Sequence, residues 1–168
     1  SARIVGGNEA PAALSGWLGH RAPFAFELSY APGAGVDRFR VGTPPVLAMA
    51  ALDAALDVWE GVDLGDLRAR SLALADRFVE GALAAVPGLA LATPREGARR
   101  GSQVSFRHPE GYAAMQALIA RGVVGDFRAP DIMRFGITPL YLGEAEIDRA
   151  VEVLAEVMGR RLWDDPAF

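Results

Sequence analysis

The chain has 168 residues, 51% of them apolar, with 17 basic against 21 acidic side chains and a net charge of -4. That length suits one compact domain, or a small domain with an extended arm, and the apolar content argues against disorder. Neither sign of charge gathers into a block, so a nucleic-acid backbone finds no basic track; the chain has no cysteine for disulfides or thiol chemistry, and His20 and His108 alone make no metal cluster.

The opening string SARIVGGNEAP lacks the apolar core of a signal peptide, and the most apolar stretch, PVLAMAALDAALDVW, is broken by Asp53 and Asp57 well short of a membrane span. A soluble protein of a reducing cytoplasm, with no membrane and no nucleic-acid partner, is therefore expected. All the basic residues are arginines, so no lysine is present to form a Schiff base.

Ser1 to Val41 is rich in Gly, Pro and aromatics without a sustained helical period, and reads as an extended arm. At Gly42-Thr43-Pro44-Pro45 the character changes. Thr43 suits an N-cap and Pro44 a first helical position, predicting a helix to about Glu60. Asp63 signals a second helix, which carries apolar residues at helical spacing until Pro87-Gly88. A short strand at Leu89 to Thr93 and the charged turn REGARRG lead to a strand at Gln103 to Arg107. There Val104 and Phe106 alternate with Ser105 and Arg107, implying one buried face. His108-Pro109 opens a helix with Tyr112, Met115, Leu118 and Ile119, with Gly122 as its stop and His108 as a capping residue. Val123 to Arg128 and Ile132 to Ile137 read as strands joined by the turn APD. A last helix from Gly143 to about Arg160 buries Ile147, Val151, Leu154 and Met158, with Leu162 and Trp163 sealing its end.

The fold class is therefore α+β: a small, mostly antiparallel sheet with helices on one face, preceded by an extended arm and a helix. The expected division is residues 1–60, the arm and linking helix, and 61–168, the small domain. Within IMRFG the side chains alternate, so Arg134 points away from the face shared by Met133, Phe135 and Ile137. An arginine flanked by core residues needs an anionic partner. Asp126 and Asp131 are the nearest structural acids; a ligand carboxylate is the functional option.

Five strings are more specific than this pattern: GWLGH from Gly16, RFRVGTPPVL from Arg38, ATPRE from Ala92, RGSQVSFRHPEGY from Arg100 and GDFRAPDIMRFGITPLY from Gly125. Together, over about Ala10 to Phe168, they resemble the C-terminal part of a bacterial kynureninase, while Ser1 to Glu9 match nothing in it. The resemblance implies a homodimeric pyridoxal-phosphate hydrolase of the aspartate-aminotransferase fold. Such enzymes cut kynurenine or 3-hydroxykynurenine into an anthranilate and alanine in tryptophan catabolism, with the cofactor's ring as electron sink. In that family the Schiff-base lysine and the acid facing the pyridinium nitrogen lie in a large domain upstream of GWLGH. The resemblance therefore implies a C-terminal fragment with no catalytic residue of its own, inactive alone, binding no cofactor covalently. Residues 1–60 would belong to the parent's large domain and dimer interface.

By the same resemblance Arg134 binds the substrate carboxylate, for which a guanidinium fork is well shaped. Trp17 and Thr43 are the expected phosphate contacts, through an indole N–H and through a hydroxyl and amide at a helix start, in part across a dimer interface. Pro44 and Pro45 remove two N–H groups there, leaving Thr43, Val46 and Leu47. His20 either lines the pocket or holds its loop by a backbone bond, the structural role being expected first. Tyr30, Phe24 and Phe39 are packing aromatics or flank an aromatic substrate; Arg38 and Arg40 are expected in solvent unless they meet a phosphate or an interface carboxylate. The alternative reading is a stand-alone, non-catalytic module that binds an amino acid or dimerises.

Overall fold

Adjacent prolines decide where the first helix begins. In the computed structural model, which describes residues 13–165, α1 spans Val46–Leu56. Pro45 disfavours helical backbone at Pro44, and Pro45 is itself extended, with φ -70° and ψ 98°. The expected start at Thr43 is thus corrected: Thr43 lies outside the helix and is not its cap, and α1 has no side-chain cap. A single 3-10 turn, Asp57–Trp59, continues it. Before α1 the chain makes 3-10 turns at Trp17–Gly19, Pro23–Ala25 and Gly35–Phe39, with one isolated bridge between His20 and Pro32. The unmatched string Ser1 to Glu9 lies outside the described residues.

The chain divides into two units, Ser1–Glu60 and Gly61–Phe168. The first buries little. α1 has no buried residue, and Phe26 and Leu47 are 77% and 88% exposed. An apolar helix of this kind is normally covered.

In the second unit, α2 spans Leu64–Ala85 and is capped as expected, Asp63 Oδ1 accepting from the Asp66 amide at 2.9 Å. It buries Leu74, Ala75, Phe78, Val79 and Ala82, one face of a helical period. There follow β1 (Ala90–Leu91), β2 (Gln103–Arg107), α3 (Gly111–Ile119), β3 (Asp126–Arg128), β4 (Ile132–Gly136) and α4 (Glu144–Gly159), with a last turn at Leu162–Asp164. The sheet is antiparallel throughout, in the order β1-β2-β4-β3.

Register gives the two faces of this sheet different chemistry. Val104 lies opposite Phe135, and Phe106 opposite Met133, which also faces Phe127; Val104, Phe106, Met133 and Phe135 are buried and meet the helices. Phe78 of α2 stands edge-on to Phe106 and Phe135, ring centroids 5.8 and 5.1 Å away. The other face carries Ser105, Arg134 and Asp126 in one row, and Arg107, Ile132 and Arg128 in the next. Ser105 departs from the expected alternation and is buried, because Thr93 Oγ1 accepts its amide at 2.7 Å and Gln103 Nε2 reaches its hydroxyl at 3.1 Å.

Two details near the last helices also differ. α3 starts after Glu110 with no side-chain cap, and His108 offers it only a backbone carbonyl, which accepts from Gly111 N at 3.0 Å. The His108 ring packs edge-on against Trp163 at 5.1 Å instead, so its role is packing rather than capping. Along α4 the buried face is Ile147, Val153, Leu154, Val157 and Met158, with Val151 at its margin and Trp163 closing the end. Among the described residues no helix is long and apolar enough to cross a membrane, and no cluster of metal-ligating side chains occurs.

Candidate functional site

The hairpin of β3 and β4 sets Arg134 directly opposite Asp126. The two meet edge to edge: Arg134 Nε donates to Asp126 Oδ1 at 3.3 Å, and Nη2 donates to Asp126 Oδ2. This uses the side-on edge of the guanidinium. Among the described residues Nη1 has no hydrogen-bond partner, so the end-on edge, Nη1 with the second proton of Nη2, is open. The Arg134 side chain is 25% exposed and that of Asp126 53%. The hydrogen bond from Arg134, helped by the charges of Arg134 and Arg128, holds the Asp126 carboxyl below its ordinary range, so it is ionised at neutral pH. Asp131, the other acid within reach by sequence, pairs with Arg107 at 2.9 and 3.1 Å.

The first unit holds the remaining candidates. Trp17 Nε1 donates to the Pro23 carbonyl, and its ring stands edge-on to Phe24 at 5.3 Å. His20 Nδ1 accepts from the Ala22 amide at 2.9 Å, which puts the proton of the neutral ring on Nε2, 3.2 Å from the Ser29 carbonyl. The imidazole also meets the Tyr30 ring, whose hydroxyl donates to Gly19 O at 3.1 Å. His20 therefore holds its loop together, and with Trp17, Phe26 and Tyr30 it lines a cavity of about 180 Å³.

Trp17 and His20 are thus brought together. Gly16 makes a second approach possible: a Cβ there would fall on the Val41 carbonyl, so only glycine lets the Trp17 segment run against the one leading to Thr43. Thr43 is exposed, and because the first helical bond of α1 runs from Met49 N to Pro45 O, the amides of Val46, Leu47 and Ala48 have no acceptor within the helix.

Tested against pyridoxal phosphate, the group the resemblance implies, these residues fit in part. Thr43 and the free amides suit phosphate oxygens; the Trp17 N–H, as it stands, is engaged by Pro23. Arg38, expected in solvent, is buried, whereas Arg40 lies exposed 3.6 Å from Asp37. A second cavity of about 370 Å³, lined by Phe78, Val123, Phe135, Ile137 and Leu142, has Glu146 and Arg149 as its charged groups. Glu146 accepts from the Gly143 amide, and Arg149 donates to Glu152 in an exposed pair along α4. The feature that sequence reasoning left undecided is Asp126; its position eight residues before Arg134 across a short turn is the signal for it.

A family model described as the kynureninase C-terminal domain matches residues 67–154. The kynureninase of Pseudomonas fluorescens is 49% identical over 160 residues, covering 94% of this chain and 38% of the relative. That of Deinococcus radiodurans is 53% identical over 153 residues, covering 90% and 37%. The Burkholderia mallei enzyme is 49% identical over 158 residues, covering 92% and 38%. The chain therefore spans under two fifths of the length of these curated relatives.

Among solved structures, the cystine C-S lyase C-DES in complex with its product cysteine persulfide superimposes with a TM-score of 0.70 at 22% identity, over 93% of this chain and 40% of that one. A C-DES variant with glycine covalently linked to its pyridoxal-phosphate cofactor gives 0.68 at 23%. At such identities the likeness is one of fold: these pyridoxal-phosphate enzymes contain the same α+β unit. With the family model matching more than half of its residues, the chain belongs to the kynureninase C-terminal domain family.

Proposed function

We propose that the chain is the substrate-clamping part of a pyridoxal-phosphate hydrolase that cleaves kynurenine or 3-hydroxykynurenine to an anthranilate and alanine. The observation that carries this reading is Arg134. It stands on the sheet face opposite the one that packs on α2 and, among the described residues, its end-on edge is unengaged, in a chain of this family. That edge offers a bidentate fork to the carboxylate of an α-amino acid, and two parallel charge-assisted bonds fix orientation as well as affinity.

Thr43 and the amides at the start of α1 are the phosphate contacts, and Trp17 joins them once its N–H leaves the Pro23 carbonyl. His20 keeps their loop in shape. When bound, the cofactor supplies the electron sink for breaking the bond between the β and γ carbons. What this chain's residues do is bind and orient. The Schiff-base lysine and the acid for the pyridinium nitrogen have no counterpart here, the sequence containing no lysine. They come from polypeptide beyond these 168 residues, on the same chain or on a partner. The exposed apolar side chains of residues 13–60, α1 above all, support a role for this unit as interface in a homodimer with the large domain of the parent enzyme.

A hybrid enzyme tests the reading: the matched segment of Pseudomonas fluorescens kynureninase is replaced by this chain. It should hydrolyse kynurenine, and Arg134→Lys, which keeps the charge and loses the fork, should raise KM roughly 10- to 150-fold, the equivalent of one hydrogen bond to a charged group. An unchanged KM would remove Arg134 from the site.

A further inference from the structure

We propose that Asp126 is a positioning residue for Arg134: by taking the side-on edge of the guanidinium it fixes the plane in which the end-on edge is presented to a substrate carboxylate. The inference deepens the carboxylate-clamp reading and rests on it. The geometry has three parts. Asp126 is directly opposite Arg134 in the β3 and β4 register, so the carboxylate is placed by backbone pairing and not by a mobile loop. Its two oxygens engage Nε and Nη2, which removes rotation about the last bond of the arginine side chain. Nη1 is left without a partner among the described residues, and a second carboxylate needs that atom.

Two properties argue against a purely stabilising ion pair. Both side chains are partly exposed, a setting in which such pairs contribute little to folding. The pair also does not balance the charge of this face: Arg107 has its own acid in Asp131, but Arg134 and Arg128 share the one charge of Asp126, so positive charge remains for a further carboxylate. What Asp126 adds to Arg134 is orientation, and misorientation of a binding group is expensive in binding and rate.

Positioning and charge competition predict opposite signs. If Asp126 merely neutralises Arg134, removing its charge strengthens carboxylate binding. If it positions Arg134, removal weakens it. In the hybrid enzyme, Asp126→Asn is expected to raise the KM for kynurenine about tenfold with kcat nearly unchanged. Asp126→Glu, which keeps both oxygens on a stem one methylene longer, should return KM most of the way.

In the unmodified 168-residue chain, with no cofactor present, the Arg134 Nε–H should give a resolved, slowly exchanging 15N–1H resonance. Asp126→Asn should broaden or shift it into the solvent-averaged arginine envelope. A KM that falls or stays constant in Asp126→Asn, or an Nε–H resonance indifferent to the substitution, overturns the proposal. The carboxylate reading fails separately, through an unchanged KM in Arg134→Lys. If that variant is impaired while Asp126→Asn is not, the clamp stands and the positioning role alone falls.

Discussion

Gly125 immediately precedes β3, at the end of the hairpin away from its turn, and replacing it with alanine tests the geometry beneath the site. A Cβ there would lie 2.8 Å from the Arg134 carbonyl oxygen and 2.7 and 2.8 Å from the Met115 Cε and Sδ. The methionine is 1% exposed and fully packed, so its flexible end has no space to enter, and the carbonyl is backbone. β3 is held by only three register pairs, so the strand itself must move. Overpacking of this kind costs about 1–3 kcal/mol, which for a domain of this size lowers Tm by roughly 5–20 °C. Gly136→Ala, at the last residue of β4 and directly after Phe135, is the control: its Cβ meets nothing within 4 Å, and loss of unfolded-chain entropy should leave Tm unchanged or raise it by a few degrees. Thermal unfolding followed by circular dichroism measures both. Equal midpoints for the two variants, or a Gly125→Ala midpoint at the wild-type value, would refute the close approach of the two strands.

The other predictions concern pH and cofactor. Burial beside Trp163 lowers the His108 pKa below the ordinary 6.5, so as pH falls through that value the unfolded chain takes up the proton first and the native state loses stability. Unfolding free energy should therefore decline from pH 7.5 to 5.5. His108→Phe, which keeps a ring against Trp163, should flatten that slope; an unaltered slope would assign it to other groups. Asp126 and Asp148, both held low by hydrogen bonds from arginine, add stability that is present above their ordinary range and disappears only as pH falls through their depressed values, in stronger acid. Incubated with pyridoxal phosphate and reduced with borohydride, the 168-residue chain, which contains no lysine, should carry the pyridoxyl group on its terminal α-amine alone, and peptide mapping that finds it on an internal residue would contradict this.

Much of the second unit was legible because its signals are local. β2 occupies the expected Gln103 to Arg107, Asp63 caps α2 as its side chain implied, and the buried Trp163 seals the end of α4 as expected. Signals that depend on neighbours failed. Thr43 and Pro44 each favour a helix start, but Pro45 constrains the residue before it and pushes the start onward. Ser105 should face solvent by alternation, and a side chain from the preceding turn covers it. His108 reads as a cap from sequence until Trp163, some fifty residues later, supplies a better surface for its ring. For Arg134 the periodicity identified the face, but the choice between Asp126 and Asp131 depended on strand register, which a period of two does not encode. The first unit was least legible, since its glycines and prolines specify turns one at a time.

The most direct test of the central claim is the KM for kynurenine of the hybrid enzyme, compared between Arg134 and Arg134→Lys at matched cofactor loading. The account predicts an increase of roughly 10- to 150-fold with kcat much less affected, as expected when a uniform binding interaction is lost. An unchanged KM, with the variant folded and loaded as the parent, would contradict it and place the substrate carboxylate elsewhere.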